Sequence, residues 1–307
     1  MDVSICIVTH NQPVILPECV AACLAEIEAA GVSAEIIIVD NASSDEYPGQ
    51  LARSSPIIRV IRNEQNLGFS AANNKAIRSS QGKRLLILND DAILREESLR
   101  LMVGEMDSRP GVGAVGPKLL NSDGSVQQHF TNRRFPHLLN CLALACLLES
   151  RLERYAWSRR IFGLERDLER SGDAEHLAGA CLLVRREALD AVGLFDEGFH
   201  YWFEDADLCL RLKKAGWKIV YLAEAQVTHY GSASLGGIPE PRRALIAFAS
   251  QMRYLKKHWS TPKYLFVRLA CAFPFLLRRA VWRLAEGDQH RRLSTATQGT
   301  RSPLLKP

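Results

Sequence analysis

The N-terminal third of the chain alternates short apolar runs with longer helical stretches, and this alternation constrains the fold more than any other feature. The apolar runs span residues 3–8, 35–39, 57–61 and 85–88. Each has the length of a strand and lacks the apolar–polar alternation of a half-exposed strand. Strands that are buried on both faces and separated by helices are typical of parallel sheets. The sequence therefore predicts an α/β fold in which a doubly wound, mostly parallel sheet carries helices on both faces.

Polar residues follow each of these runs at the point where a strand would end. They are residues 9–11, 40, 66–70 and 89–91. Each group alone could be a turn or a helix cap. In open α/β sheets, however, ligands bind in the crevice outside the carboxyl ends of the strands. Four such groups in succession predict a ligand site along one edge of the sheet.

A further polar cluster, F-E-D-A-D-L-C-L-R-L at residues 203–212, places three carboxylates at the start of an amphipathic helix. Acidic residues stabilise a helix N-terminus, so a purely structural role explains one or two of them. Leu208, Leu212 and Ala215 have the spacing of a buried helical stripe. The acids follow aromatic residues that look exposed, namely Phe199, Tyr201, Trp202 and Phe203. This order suits a site that stacks on a ring and takes a proton from a hydroxyl.

Two more strands are predicted in the second half of the chain. Residues 175–184 read E-H-L-A-G-A-C-L-L-V and predict a core strand, in which the Gly-Ala pair suits close approach of a ligand or of backbone. Residues 218–222 predict another strand, and His229 follows it. A single histidine after a strand is more often structural than functional.

The net charge of +5 is concentrated in residues 133–160 and 256–292, where basic residues are mixed with apolar ones. This mixture indicates a phosphate-rich or anionic-lipid surface, and no nucleic acid, because no zinc-finger spacing or RNA-binding aromatic motif accompanies it. The apolar run at 138–148 is too short to span a bilayer. It could lie on a membrane, form a flap over the site or be a buried helix.

The cysteines and the missing motifs narrow the class of protein further. The eight cysteines lie mostly in apolar runs without a C-x-x-C pair, which indicates small buried side chains in a reducing compartment. No basic and apolar leader precedes the first strand, so we expect a cytoplasmic protein. Neither G-x-G-x-x-G nor G-x-x-x-x-G-K-S/T occurs, which counts against a dinucleotide-dependent enzyme and a P-loop NTPase.

These segments together resemble glycosyltransferase family 2, an inverting family with the GT-A fold, and are most similar to its bacterial rhamnosyltransferase-like branch. The resemblance covers about three quarters of the chain, residues 3–234. Each motif is weak alone, but their order and spacing are highly specific. The motifs are V-S-I-C-I-V-T-H-N, I-I-V-D-N-A-S-S-D, N-L-G-F-S-A-A-N-N, L-I-L-N-D-D-A, G-A-C-L-L-V-R-R-E-A-L, G-L-F-D-E-G-F, F-E-D-A-D-L-C-L-R-L and V-T-H-Y-G.

The resemblance implies that the polar residues after the strands bind a nucleotide-diphospho-sugar donor. Asp40 would hydrogen-bond the base, and a helix N-terminus that follows Asn66 would help to hold the diphosphate. The donor-binding residues implied in this way are Thr9, Asn11, Asp40, Asn66, Gly68, Asn73 and Asp90.

The resemblance also implies a divalent cation, Mg²⁺ or Mn²⁺. Asn89, Asp90 and Asp91 lie where the family has its D-x-D metal motif. Asn89 replaces the first acid, as is common in the rhamnosyltransferase-like branch, so Asp91 is the surer ligand. His229 matches a late histidine that can complete the metal shell, and an imidazole ligand favours Mn²⁺. The cation would bridge Asp91 and the diphosphate.

Asp205 matches the family's general base, which would deprotonate an acceptor hydroxyl as that oxygen attacks the anomeric carbon. Tyr201 and Trp202 would stack on the acceptor, and Gly179 would line the sugar pocket. The full set implied to contact or orient the acceptor is Gly179, Tyr201, Trp202, Glu204 and Asp207.

The residues and the resemblance together predict a metal-dependent inverting glycosyltransferase that acts on a lipid-linked or polysaccharide acceptor in cell-surface glycan synthesis. The expected donor carries a deoxysugar, as dTDP-rhamnose does. Two alternatives are a nucleotidyltransferase of similar topology and a non-catalytic, membrane-associated scaffold with the same fold. Residues 9–13 lack the glycine and basic cluster of the first, whereas intact Asp205 and His229 argue against the second.

We expect three parts along the chain. Residues 1–235 form the GT-A domain, with a donor-binding half up to about residue 120 and an acceptor-binding half from 121 to 235. Residues 236–290 form a helical, basic and apolar appendage that could associate peripherally with the inner face of the cell membrane. Residues 291–307 form a disordered tail, because they are rich in Ser, Thr, Gly and Pro.

Overall fold

The computed structural model describes residues 1–131, 134–138, 141, 167–231 and 240–271. Within these residues a single nine-stranded sheet forms the centre of the molecule. The strands are β1 (Val3–Thr9), β2 (Ala34–Asp40), β3 (Ile58–Arg62), β4 (Arg84–Asn89), β5 (Ala92–Leu94), β6 (Val112–Leu120), β7 (Gly172–Asp173), β8 (Cys181–Arg185) and β9 (Lys218–His229). Their order is β3-β2-β1-β4-β8-β6-β9-β5, and β7 pairs with β9.

Helices connect and cover these strands. They are α1 (Leu16–Ala30), α2 (Tyr47–Leu51), α3 (Gly68–Ser79), α4 (Ser98–Ser108), α5 (Gln128–Thr131), α6 (Arg186–Val192), α7 (Glu204–Lys214) and α8 (Glu240–His258). Residues 261–271 are also helical.

The first four strands form a parallel unit with β1 between β2 and β4. The chain moves outward from β1 to β2 and β3, then returns to add β4 on the other side of β1. This reversal is a topological switch point, at which a crevice opens between the carboxyl ends of two neighbouring strands. The predicted doubly wound α/β sheet is confirmed.

Antiparallel strands complete the sheet beyond β4. Strand β8 pairs antiparallel with β4 and with β6, while β6 and β9 pair parallel to each other. Strands β5 and β7 each pair antiparallel with β9. The pairing of β5 with β9 sets Ala92 opposite His229. It therefore brings the turn that follows β4 to the end of β9.

Helices pack on both faces of the sheet through two apolar layers. Successive residues of β1 enter opposite layers, because side chains alternate along a strand: Ile5 and Ile7 join one, and Cys6 joins the other. Helices α1 and α4 cover the first face, and α3, α6 and α7 cover the second. The buried helical residues include Cys19, Val20, Leu99 and Met102 on the first face and Ala72, Ile77, Leu189, Leu208 and Leu212 on the second.

Two details of the predicted aromatic and helical segment are wrong. Ala215 does not belong to the buried stripe of α7, because the helix ends at Lys214 and Ala215 caps it at the exposed C-terminus. Phe199 is not exposed but fully buried, because it packs with Tyr254 and Leu255 of α8 in a third apolar cluster.

The predicted strand at 175–184 forms only over residues 181–185. Gly179 and Ala180 form a turn instead. The backbone N–H of Gly179 donates to Asp205 Oδ2 at 3.2 Å, so it is used by a side chain of α7 and not by a neighbouring strand.

Several predicted segments lie outside the described residues. Most of the apolar run at 138–148 and the whole tail at 291–307 belong to this group, and both remain predictions. Among the helices that the structure does describe, none combines the length and apolar character needed to cross a bilayer.

Candidate active site

A cavity of about 170 Å³ opens at the carboxyl ends of β1 and β4, where the sheet has its switch point. The start of α7 and the turn before β8 also line it. Ten predicted site residues line it: Thr9, Asn89, Asp90, Asp91, Gly179, Tyr201, Trp202, Glu204, Asp205 and His229. Six further residues line it as well: Val8, His10, Asn41, Phe69, Ala178 and Ala180.

Asp91 and His229 meet on one side of the cavity because the β5–β9 pairing brings them together. The backbone N–H of Tyr230 donates to the carbonyl oxygen of Asp91 at 3.0 Å, which extends this pairing as far as the turn. His229 Nε2 lies 3.3 Å from Asp91 Oδ1 and 3.4 Å from Asn89 Nδ2. The side chains of Asp91 and His229 are both buried.

The carboxylate and the imidazole together fit a hard divalent cation for which the protein supplies only some of the ligands. A carboxylate oxygen suits Mg²⁺ or Mn²⁺, and an imidazole nitrogen suits Mn²⁺. Within the described ranges no group of three or more His, Cys, Asp or Glu side chains is arranged to hold a metal. Mg²⁺ sites often use one or two carboxylates together with substrate phosphates and water. Asp91 and His229 therefore fit a cation that is shared with a bound diphosphate.

The cavity wall at the ends of β1 and β2 contains a buried hydroxyl and a fixed amide, those of Thr9 and Asn41. Thr9 Oγ1 is buried and makes no hydrogen bond to protein within the part of the chain that the structure describes. Such a group costs free energy unless a ligand or water completes it. Asn41 is held in place because its Oδ1 accepts from Asn63 Nδ2 at 3.0 Å and from Leu67 N at 2.9 Å.

Asp40 and Asn11 lie beside the cavity and not in its wall. Asp40 Oδ1 accepts from Ser43 N at 2.9 Å, and Oδ2 lies 3.6 Å from Arg62 Nε. Asn11 Oδ1 accepts from Ser44 N at 2.8 Å, which ties the loop after β1 to the loop after β2. Both residues thus shape the loops at the cavity mouth. Their predicted contacts with a nucleotide remain predictions.

Asn66, Gly68 and Asn73 shape the start of α3 and also lie outside the cavity wall. Asn66 Oδ1 accepts from Gly68 N at 2.9 Å, and Asn73 Nδ2 donates to the carbonyl one turn earlier at 3.0 Å. Gly68 has φ 79°, and a Cβ at this position would collide with the imidazole of His200. Glycine is therefore required where α3 meets the aromatic loop.

Asp205 lies in the first turn of α7 with its carboxylate on the cavity wall. Oδ2 accepts from Gly179 N at 3.2 Å, and Oδ1 accepts from Ala206 N at 2.7 Å. His176 Nε2 lies 3.2 Å from Oδ1. The imidazole of His176 is buried and lies parallel to the ring of Phe135, with centroids 6.3 Å apart. The carboxylate is thus oriented by two backbone N–H groups, and a buried imidazole lies beside it.

The aromatic residues before α7 adopt an unusual backbone. Trp202 and Phe203 have φ values of 63° and 69°. Left-handed residues other than glycine cost about 1–3 kcal/mol each and cluster at functional sites.

Burial raises the pKa of Tyr201; its hydrogen bond with Asn66 opposes this effect, and the charge of Asp90 adds to it. Tyr201 therefore keeps its hydroxyl proton at neutral pH.

Asp207 points away from the cavity and towards α8. Its Oδ2 accepts from Arg211 Nε at 2.8 Å, and its Oδ1 lies 2.7 Å from His258 Nε2 and 2.8 Å from Lys257 Nζ. Burial alone would raise the pKa of Asp207, but the hydrogen bonds from His258 and Lys257 outweigh burial and lower it. The structure does not bring Asp207 to the predicted acceptor site, because its carboxylate joins α7 to α8.

Sequence reasoning missed His176, although the residue lies three positions before the predicted Gly179. The interpretation of residues 175–184 as a core strand gave its imidazole no role. It also missed Asn41, which directly follows Asp40 and lines the cavity in its place. In both cases the available signal was a polar residue next to a motif position.

Comparisons with known proteins identify the same segments. The family model described as Glycosyl transferase family 2 matches residues 4–193. The N-acetylglucosaminyl-diphospho-decaprenol L-rhamnosyltransferase of Mycobacterium tuberculosis (strain ATCC 25618 / H37Rv) is 31% identical over 216 residues, which are 66% of this chain and 69% of that protein. The uncharacterized protein y4gI of Sinorhizobium fredii is 32% identical over 233 residues. That match covers 74% of this chain but only 24% of the Sinorhizobium protein.

A solved structure has the same fold. The mannosyltransferase PcManGT from Pyrobaculum calidifontis, in complex with GDP-Man and Mn²⁺, matches with a TM-score of 0.54. The match covers 98% of this chain and 81% of that chain at 16% sequence identity. This likeness confirms the predicted GT-A fold.

Proposed function

Because this chain belongs to glycosyl transferase family 2, we propose that it moves a sugar from a nucleotide-diphospho-sugar to an acceptor hydroxyl, with a divalent cation and with inversion. One observation carries the proposal: Asp91 and His229, which lie 3.3 Å apart, line the same cavity as Asp205. The first pair suits a cation bound to diphosphate, and Asp205 suits a general base.

The donor is proposed to lie along the ends of β1 and β4. Thr9 and Asn41 supply polar groups there, and both line the cavity. A deoxysugar nucleotide such as dTDP-rhamnose is the favoured donor, since the name of the Mycobacterium tuberculosis relative specifies rhamnosyl transfer. Residues Asn11 and Asp40 at the mouth of the cavity are proposed to border the base.

Catalysis is proposed to follow from the fixed carboxylate of Asp205. The acceptor oxygen attacks the anomeric carbon while Asp205 takes its proton, and the bond from that carbon to the diphosphate oxygen breaks on the opposite face. The configuration therefore inverts, and the nucleoside diphosphate leaves. A bound cation, held by Asp91 and His229, would offset the negative charge that develops on the diphosphate.

A lipid-linked acceptor and a peripheral contact with the membrane are also proposed. The relative's name includes N-acetylglucosaminyl-diphospho-decaprenol, which is a lipid-linked sugar. In the helical residues 261–271, Leu265, Phe266 and Leu269 are 45%, 57% and 74% exposed, and they lie among exposed basic residues. Apolar and basic residues on one helix favour an anionic lipid surface.

The test is turnover and binding with a panel of nucleotide sugars, in the presence of Mn²⁺, Mg²⁺ or EDTA. We expect one donor to release nucleoside diphosphate, and EDTA to abolish the release. Asp205→Asn should lower kcat by about 10²–10⁴-fold yet keep nucleotide binding. Asp190→Asn, at an exposed aspartate on α6, is the matched control and should keep full activity. Failure of every donor to bind, with or without metal, would exclude the enzyme and favour the scaffold.

A further inference from the structure

Gln127 is a buried amide next to the proposed cation site, with its backbone fixed on both sides. Its N–H donates to the carbonyl oxygen of Leu119 at 2.9 Å, and its carbonyl oxygen accepts from Thr131 Oγ1 at 2.8 Å. The side chain therefore starts from a rigid position between β6 and α5. It reaches the last residue of β9, His229, with both of its polar atoms.

The two contacts determine how the amide is oriented. Gln127 Nε2 donates to the carbonyl oxygen of His229 at 2.6 Å. A backbone carbonyl can only accept, so the amide nitrogen must be the atom that faces it. The amide oxygen Oε1 is then the atom that lies 2.9 Å from His229 Nδ1. Because that oxygen can only accept, Nδ1 must carry a hydrogen.

This orientation leaves the other ring nitrogen with its lone pair when the imidazole is neutral. Nε2 is the atom that faces Asp91 Oδ1 at 3.3 Å and Asn89 Nδ2 at 3.4 Å. The amide nitrogen of Asn89 is a donor, which also agrees with a lone pair on Nε2. In the opposite tautomer, an N–H would point at Asp91 and occupy the direction that a cation needs.

We propose that Gln127 is a positioning residue, which holds the His229 ring and its Nδ1–H tautomer so that Nε2 can bind a divalent cation. The role of the cation rests on the proposed function, but the tautomer does not. A ligand histidine commonly has its second nitrogen fixed by a hydrogen bond, and loss of that partner costs about 10–100-fold in metal affinity. Here the neutral amide of Gln127 contacts both the ring and the main-chain carbonyl of His229, and it thereby holds the ring in place.

The experiment observes the His229 ring in the metal-free, full-length protein. Long-range ¹H–¹⁵N NMR spectra of histidine-labelled protein, recorded about 1.5 units above the ordinary imidazole pKa, distinguish Nδ1–H from Nε2–H. His229→Asn assigns the signal. We expect Nδ1–H in the unmodified chain and a mixture of tautomers in Gln127→Met, which keeps the side-chain length but removes both hydrogen bonds. Gln128→Met changes the adjacent, exposed glutamine and should match the unmodified chain.

A second readout is Mn²⁺ binding in the presence of a nucleoside diphosphate, followed by the paramagnetic signal of the free ion. Gln127→Met should weaken Mn²⁺ binding about 10–100-fold, and Gln128→Met should not. An Nε2–H tautomer in the unmodified chain overturns the proposal and requires no variant to fold. An unchanged tautomer and Mn²⁺ affinity in a folded Gln127→Met also overturn it. Absence of Mn²⁺ and nucleotide binding in a chain with the Nδ1–H tautomer contradicts the proposed function instead.

Discussion

The carboxylate of Asp205 has neighbours of two kinds, and they differ in what a substitution can remove. Two backbone N–H groups persist whatever side chains surround them, whereas the imidazole of His176, with Nε2 3.2 Å from Oδ1, is a neighbour that a substitution removes. We expect His176→Phe to lower kcat about 10-fold, the size of effect seen when a group that orients a functional one is lost. Steady-state kinetics with the identified donor, and nucleotide binding by calorimetry, measure the effect.

The conservative His176→Gln variant keeps a polar atom near Asp205 and should recover part of kcat. The dissociation constant of the nucleotide should be the same in both variants, because His176 lies beside Asp205, the proposed general base, and does not line the cavity. A fall in nucleotide affinity that equals the fall in kcat would instead indicate a general structural role for His176.

The functional role of a single residue could be predicted where the residue belongs to a local sequence motif. Asp91, Asp205 and His229 each lie in such a motif, and the structure brings them to one cavity. Gln127 and His176 could not be predicted as partners in this way. Gln127 and His229 are 102 positions apart, and their contact depends on how β6, β9 and the turn after β6 pack. This packing cannot be inferred from a single sequence.

Helices α7 and α8 are joined by a cluster around one buried carboxylate, which we call the α7–α8 clamp: Asp207, Arg211, Lys257 and His258. Asp207 is fully buried and has polar contacts with the three other residues. Asp207→Asn removes the charge that these groups surround. We expect the free energy of unfolding to fall by about 3–5 kcal/mol, measured by urea denaturation near neutral pH. Asp190→Asn is again the exposed control and should change it little.

The same cluster predicts how the free energy of unfolding changes as the pH falls. The pKa of Asp207 is lowered in the folded chain, so the unfolded chain binds a proton at this residue more readily. The stabilisation is therefore complete above about pH 5 and is lost as the pH falls through about 4 towards the folded pKa. Unfolding curves should fall less steeply with decreasing pH in Asp207→Asn than in the unmodified chain. Equal slopes would show that the lowered pKa of Asp207 does not contribute.

Strands could be predicted where both of their faces are buried, because such a strand appears in the sequence as a continuous apolar run. This holds for β1, β2, β3 and β4, which match the runs to within about one or two residues. It fails for β6, which contains Gly113, Gly116 and Pro117 and reads as a broken segment. It fails also before β8, where a side chain from α7 takes the backbone N–H of Gly179. Such competition between distant groups is decided by tertiary structure.

At the scale of the whole molecule, the apolar surface at Leu265, Phe266 and Leu269 is the most testable link to a membrane. A double variant, Phe266→Glu with Leu269→Glu, places two acids among the basic residues of this surface. We expect its binding to vesicles with anionic lipid to fall at least tenfold in a sedimentation assay, because both apolar burial and charge attraction weaken. Turnover of a water-soluble acceptor should be unchanged.

Val14→Glu is the matched control for this assay. Val14 is 81% exposed in the segment between β1 and α1 and belongs to neither the helical residues 261–271 nor the basic region, so its substitution should leave vesicle binding intact. Equal vesicle binding by all three proteins would contradict the proposed membrane contact. If the unmodified chain lost vesicle binding in high salt, the contact would depend on charge attraction and not on the apolar residues.

The α7–α8 clamp has a practical consequence for protein engineering. Asp205 and Asp207 lie on one helix, so the carboxylate that lines the cavity and the carboxylate that binds α8 are held on one rigid element. Residues Arg253 and Lys257 of α8 also bind Asp196, at 2.6 Å and 2.8 Å, in the loop that leads to the aromatic residues. A library that seeks variants for new acceptors should therefore randomise α8 together with the cavity wall, although no residue of α8 is part of that wall.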